Sequence, residues 1–66
     1  MNNMVRIFRA FYNLTEEDLA ENLGVTRHSI IAIENERYDP SLGLALKMSD
    51  LFGMPIEDIF LHEKLK

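Results

Sequence analysis

The chain has 66 residues, a net charge of −4 and no cysteine, so disulfides and thiolate metal sites are excluded. A chain of this length predicts one small domain, residues 1–66, that buries only about 60% of its unfolded surface. Its composition fits a cytoplasmic protein, and no apolar run approaches the roughly 20 residues of a membrane span. Its acidity argues against a protein that coats nucleic acid through bulk charge.

Five short segments with helical spacing follow one another, which predicts an all-α fold. The first segment runs from about Met4 to Tyr12, with apolar residues three and four positions apart. The second begins at Thr15, an N-cap for which Asp18 completes a near capping box. It stops at Gly24, where a left-handed backbone is expected.

Three further helices are predicted from their start signals. Thr26 is the N-cap of the third helix. Ser41 caps a fourth helix that runs to about Phe52, and Pro55 begins a short fifth helix. The last residues, 61–66, suit either coil or a short strand.

The second and third helices are joined by a tight turn around Gly24. Ala20 is small enough for the next helix to cross closely above it, and Ile30 and Ile33 define the buried face of that helix. This spacing allows two helices to meet at a steep angle through a turn of about three or four residues. The pattern predicts a helix-turn-helix over about residues 15–35.

A family resemblance is carried by the segment "LTEEDLAENLGVTRHSIIAIENERYDPSLGLALKMSDLFGMPIEDIF". It resembles the Cro/C1-type (Xre-like) helix-turn-helix regulators almost residue for residue, and the similarity extends from about Val5 to Phe60. In particular, the chain is similar to the shortest members, which are single-domain dimeric repressors. The resemblance implies a five-helix, lambda-repressor-like domain that binds double-stranded DNA without a cofactor.

The resemblance also implies two sets of DNA contacts. The base-reading set lies on the outer side of the third helix and comprises Arg27, His28, Ile31 and Ala32. The phosphate-contacting set comprises Thr15, Thr26, Ser29, Asn35, Arg37 and Tyr38. Helical spacing agrees with the first set, because positions 27, 28 and 31 project outward when Ile30 and Ile33 are buried.

Each of these residues also has an ordinary structural interpretation. Arg27 suits guanine or a phosphate, and exposed Ile31 suits a thymine methyl, but the same residues would form a solvated helix face in a bundle that binds no DNA. The threonines are also caps, and the residues after the third helix could form a polar loop. Arg6 suits either a phosphate contact or a solvated charge.

Four charged residues bear on the resemblance: two match the family pattern and two depart from it. Arg9 and Glu34 match a family ion pair between the first and third helices, which we interpret as structural. Glu16 replaces the usual glutamine at the start of the second helix, and Glu36 replaces a glycine after the third. Both carboxylates predict weaker non-specific binding to DNA, or a member that binds a protein partner instead.

The fourth helix has more apolar residues than one face needs. Its core face is predicted to comprise Leu42, Ala45, Leu46, Ser49 and Phe52. A homodimer interface is then predicted from the remaining stripe and the following residues: Leu44, Met48, Leu51, Phe60 and Leu61. Such a dimer would place two recognition helices about 34–36 Å apart on a palindromic operator. A further stripe of Met4, Ile7 and Phe11 has no assigned partner.

Two functions remain open at this point. The first is a homodimeric regulator that represses by occluding a promoter, with no small-molecule effector, since no segment remains to bind one. The second is a protein-interaction module or antitoxin-like adaptor on the same fold. An enzyme is not expected, because no nucleophile–base–orienter set or glycine-rich phosphate loop is present, and His28 and His62 lie far apart in the sequence.

Overall fold

The computed structural model describes residues 3–60, which form five α-helices and no strand. The helices are α1 (Val5–Phe11), α2 (Glu16–Leu23), α3 (Arg27–Glu34), α4 (Leu42–Phe52) and α5 (Ile56–Ile59). The predicted all-α class and helix order are therefore confirmed. The predicted coil or strand at 61–66 lies outside the described residues. No helix within the described range is long and apolar enough to cross a membrane.

Hydroxyl side chains begin three of these helices at the predicted positions. Thr15 accepts a hydrogen bond from the Asp18 N–H at 3.0 Å, and the Asp18 carboxylate accepts one from the Thr15 N–H at 3.1 Å. This is a complete capping box. Thr26 and Ser41 cap α3 and α4 with their own hydroxyls. Each such cap stabilises a helix by about 1 kcal/mol, so the helix starts are set locally.

All five helices contribute to one core. Its members are Val5, Leu19, Ala20, Leu23, Ile30, Ile33, Leu44, Ala45, Met48, Phe52, Ile59 and Phe60. The two ends of the described chain also meet, because the Met4 N–H donates to the Ile59 carbonyl at 2.7 Å. α1 is thereby held against α5 as well as against α3.

The inner face of α4 differs from the prediction. Leu44 is 9% exposed and Met48 is fully buried, whereas Leu42 and Leu46 are 71% and 52% exposed. The sequence of α4 is apolar almost all the way round, so helical spacing alone permits either face. Packing against the other helices selects the face of Leu44 and Met48.

The predicted dimer interface is therefore wrong for most of its residues. Leu44, Met48 and Phe60 belong to the core cluster of the monomer, where each is at most 9% exposed. Leu51 is half-buried against the same cluster. Leu61 lies outside the described residues.

The stripe on α1 is exposed at two of its three positions. Ile7 is 56% exposed and Phe11 is 75% exposed, whereas Met4 is half-buried. The hydroxyl of Tyr12 donates to the Phe52 carbonyl at 3.0 Å. α1 thus presents an apolar surface, and the Tyr12 hydroxyl beside it already has a hydrogen-bond partner.

Candidate nucleic-acid interface

The turn between α2 and α3 has the backbone that the sequence predicts. Gly24 adopts φ 73° and ψ 31°, in the left-handed region that glycine occupies at little cost. The Gly24 N–H donates to the Glu21 carbonyl at 3.3 Å, and the Val25 N–H donates to the Ala20 carbonyl at 3.0 Å. Ala20 is 4% exposed, which fits the close crossing of α3. Three residues, 24–26, therefore connect the two helices.

One side of α3 faces away from the core. Ile30 and Ile33 are fully buried, and Arg27 and His28 at the start of the helix are exposed. The other two residues of the predicted base-reading set, at positions 31 and 32, are half-buried. The isoleucine at 31 is thus less exposed than predicted, because it follows a buried position and lies on the flank of the helix.

The first residues of α2 and α3 form an ion pair. Oε1 of Glu16 lies 3.3 Å from Nη2 of Arg27, and 26% of the Glu16 side chain is exposed against 60% of the Arg27 side chain. From the sequence, this carboxylate predicts weaker non-specific binding to DNA or a protein partner. In the structure its charge is offset by Arg27, whose guanidinium it also orients.

Three residues of the phosphate-contacting set lie at helix N-termini. Thr15 caps α2 and Thr26 caps α3, and the Thr26 and Ser29 hydroxyl oxygens are 3.1 Å apart. Free N–H groups and the helix dipole favour anions at such ends. Capping and phosphate contact are compatible here, because a hydroxyl can accept from the backbone and donate to a phosphate.

The other three members follow α3 and are exposed: Asn35, Arg37 and Tyr38. Glu36 between them has φ 62°, which is uncommon for a residue other than glycine. The Arg37 N–H donates to the Ala32 carbonyl at 2.9 Å, so the chain folds back on the end of α3.

A shallow hollow links the two predicted sets. It has a volume of about 270 Å³ and is lined by His28, Ser29, Ala32 and Tyr38. Two of these residues were predicted to read bases and two to contact phosphates. The structure therefore brings two members of each set together beside α3.

The C-terminal end of α3 is fixed to α1 through a buried carboxylate. The Glu34 side chain is fully buried, and Nε of Arg9 lies 2.6 Å from its Oε2. Arg9 also donates to the Leu14 carbonyl at 2.9 Å. The hydrogen bond with Glu34 raises the pKa of Arg9, so the guanidinium stays charged. This is the pair that the family resemblance implied.

Two N-terminal residues also contact this end of α3: Asn3, for which the sequence predicted no role, and Arg6, for which it predicted a phosphate contact or a solvated charge. Asn3 donates from Nδ2 to the Ile33 carbonyl at 2.8 Å and accepts from the Val5 N–H at 3.1 Å. Nη2 of Arg6 donates to Oδ1 of Asn35 at 3.2 Å. The angle of the exposed helix face is thus held by contacts from the N-terminal part of the chain.

Two short helices joined by a three-residue turn, with the polar face of the second turned outward, define a helix-turn-helix DNA-binding protein. A family model described as helix-turn-helix matches residues 5–59. The chain belongs to this Cro/C1-type helix-turn-helix family, and it is a DNA-binding transcriptional regulator.

Two relatives named as HTH-type transcriptional regulators match this chain over almost their whole length. The chain is 57% identical over 63 residues to an uncharacterized HTH-type transcriptional regulator of Methanocaldococcus jannaschii, covering 96% of each chain. It is 45% identical over 64 residues to the regulator YgzD of Bacillus subtilis, covering 97% of each.

A solved structure is also similar. It is a hypothetical transcription factor, NHTF, from Neisseria, with a TM-score of 0.73 and 28% identity over 80% of this chain. The chain spans 60% of the length of that protein.

Proposed function

We propose that the protein is a repressor that binds a palindromic operator as a homodimer and reads bases with the outer face of α3. The observation that carries the proposal is the exposure of Arg27 and His28 on a helix whose opposite face, Ile30 and Ile33, is fully buried. Arg27 recognises guanine O6 and N7, and His28 donates to a guanine or a phosphate. Ile31 and Ala32 contact thymine methyl groups.

Phosphate contacts set the position of α3 on the duplex. Phosphates near the N-termini of α2 and α3 bind the hydroxyls of Thr15, Thr26 and Ser29. Phosphates near the end of α3 bind Asn35, Arg37 and Tyr38. Such contacts are independent of base sequence and depend on salt, whereas the base-reading set supplies specificity.

The dimer interface is proposed on a different face of α4 from that predicted. Leu42 and Leu46 are 71% and 52% exposed, and a groove beside them is lined by Pro40, Leu42, Ala45, Ile56 and Phe60. Apolar surface of this kind usually marks an interface. A palindromic operator requires the two copies of α3 in such a dimer to lie about 34–36 Å apart.

Repression follows from occupancy of the promoter. A dimer bound across two half-sites excludes the polymerase from the same stretch of duplex, so a single domain acting in the cytoplasm needs neither a cofactor nor an effector.

The test is selection of bound sequences from a random duplex pool. Wild type is compared with the double variant Arg27→Ala/His28→Ala and with Glu21→Ala, a change on the exposed side of α2. A palindromic consensus with half-sites about 10 base pairs apart is expected for wild type and the control, and a lost or relaxed consensus for the double variant.

One observation favours a second candidate, a protein-interaction module. Ile7 and Phe11 are 56% and 75% exposed beside a groove of about 280 Å³, on a surface that the DNA contacts do not use. If the folded protein enriches no sequence at low salt, this second function replaces the first.

A further inference from the structure

We infer that Arg6 is a positioning residue of the DNA-binding face: its guanidinium fixes the side chain of Asn35 so that the Asn35 amide group donates to a DNA phosphate. The inference rests on the proposed function, in which Asn35 contacts phosphate. From the sequence, Arg6 suited either a phosphate contact or a solvated charge, and the inference gives it a third role.

Arg6 lies between a buried carboxylate and the exposed end of α3. Its Nε is 3.6 Å from Oε1 of Glu34, and its Nη2 donates to Oδ1 of Asn35 at 3.2 Å. The Glu34 side chain is fully buried, and Arg9 holds its other oxygen at 2.6 Å. The guanidinium of Arg6 is therefore anchored on its inner side, although 62% of its side chain is exposed.

This contact determines which way the Asn35 amide points. A guanidinium has donors and no acceptor, so the amide oxygen of Asn35 must face Arg6. Nδ2 then faces away from Arg6, and it has no hydrogen-bond partner among residues 3–60. A phosphate oxygen only accepts hydrogen bonds, so it can bind the outward Nδ2 of Asn35, which is a donor. A flipped amide would turn an oxygen, which is an acceptor, toward the phosphate.

The local charge favours the same assignment. Arg6 and Arg9 bring two positive charges to the single negative charge of Glu34, and the charges of Glu36 and Arg37 next to Asn35 cancel, which leaves a balance of +1 at this end of α3. The chain as a whole carries −4. A phosphate therefore meets less repulsion at Asn35 than the overall charge suggests.

The test is a double-mutant cycle in DNA binding. Affinity for the selected operator is measured over a salt series for wild type, Arg6→Ala, Asn35→Ala and the double variant. Asn35→Ala is expected to weaken binding about tenfold, the lower end of the value of one hydrogen bond to a charged group. Arg6→Ala is expected to weaken it about threefold in wild type and clearly less in the Asn35→Ala background, where only the loss of the nearby charge remains.

The salt dependence separates positioning from direct contact. The slope of log affinity against log salt should stay unchanged in Arg6→Ala. In the matched control Arg37→Ala, which removes a proposed direct contact, the slope should fall in magnitude by about 0.9. Thermal unfolding of every variant verifies that it is folded at the assay temperature. If Arg6→Ala unfolds, Arg6→Lys retains the charge beside Glu34 without the planar fork, and takes its place in the cycle.

The possible results distinguish failure of the positioning role of Arg6 from failure of the proposed function. Losses that simply add in the double variant, a reduced slope in the Arg6 variant, or an Asn35→Ala variant with full affinity would each overturn the positioning role. Failure of folded wild type to bind any duplex would overturn the proposed function itself, and the inference with it.

Discussion

The carboxylate of Glu16 lies 3.3 Å from the guanidinium of Arg27, which joins the first residue of α2 to the first residue of α3. The pair places an acid beside the strongest candidate for base recognition. The contact favours one orientation of Arg27 before DNA arrives, and part of its charge is already compensated. Binding should therefore rely on the correct base more than on general attraction to phosphate.

The first prediction concerns this pair. Glu16→Gln removes one negative charge from the DNA-binding face and releases Arg27, so affinity for a random duplex at low salt should rise about fivefold, as expected for about 1 kcal/mol. The ratio of operator to random affinity should fall. Fluorescence anisotropy with both duplexes measures this. Unchanged or weaker binding to the random duplex would contradict the interpretation.

A second prediction concerns the buried carboxylate of Glu34. Glu34→Ala leaves the guanidinium of Arg9 without its partner and should lower the free energy of unfolding by about 3–5 kcal/mol. Urea denaturation measures the loss. Glu21→Ala, at an exposed position, should stay within about 0.5 kcal/mol of wild type and serves as the control. Equal stability of the two variants would show that the pair is not structural.

The pH dependence of this pair follows from Arg9. Its pKa is raised above the ordinary arginine value by the hydrogen bond with Glu34. A raised pKa in the folded state stabilises the protein fully below the unfolded pKa, and this stabilisation is lost only as pH rises through the folded value. The arginine should therefore cause no change in stability between mildly acidic and mildly alkaline pH.

A third prediction concerns the backbone after α3. Glu36 has φ 62°, a conformation that costs a residue other than glycine or asparagine about 1 kcal/mol. Glu36→Gly should raise the free energy of unfolding by up to about 1 kcal/mol, as measured by urea denaturation. Asn13, with φ 59°, is the matched control, since asparagine tolerates this region and Asn13→Gly should gain less. An equal gain at both positions would argue against strain at Glu36.

A fourth prediction separates the two sides of α4. Leu46→Lys should dissociate the proposed dimer and leave the monomer folded, because Leu46 is 52% exposed. Met48→Lys should unfold the protein, because Met48 is fully buried and an unpaired charge there has no compensation. Sedimentation equilibrium and circular dichroism measure the two effects. A dimer that survives Leu46→Lys and is lost in Ile7→Lys would move the interface to α1.

Features that depend on a few neighbouring residues could be predicted from the sequence. The caps at Thr15 and Ser41 and the left-handed Gly24 each involve bonds within three or four positions, and all three occur as expected. The buried face of α3 was also predictable, because only Ile30 and Ile33 combine apolar character with inward spacing.

Features that depend on packing between elements could not be predicted. α4 is apolar on several sides, so the choice of Leu44 over Leu42 for the core is made by the neighbouring helices. The contact of Arg6 with Asn35 joins residues 29 positions apart, and its existence follows only from the placement of α1 across the end of α3. Local patterns contain no information about that placement.

The bond from the Met4 N–H to the Ile59 carbonyl has a consequence for synthesis of the protein. The chain leaves the ribosome from its N-terminus, so α1 emerges first but cannot complete its contacts until residue 59 has followed. A nascent chain that has released only α1, α2 and α3 therefore has a recognition helix without the support of α4 and α5. Protection of α3 against proteolysis should appear in one late step of translation rather than gradually.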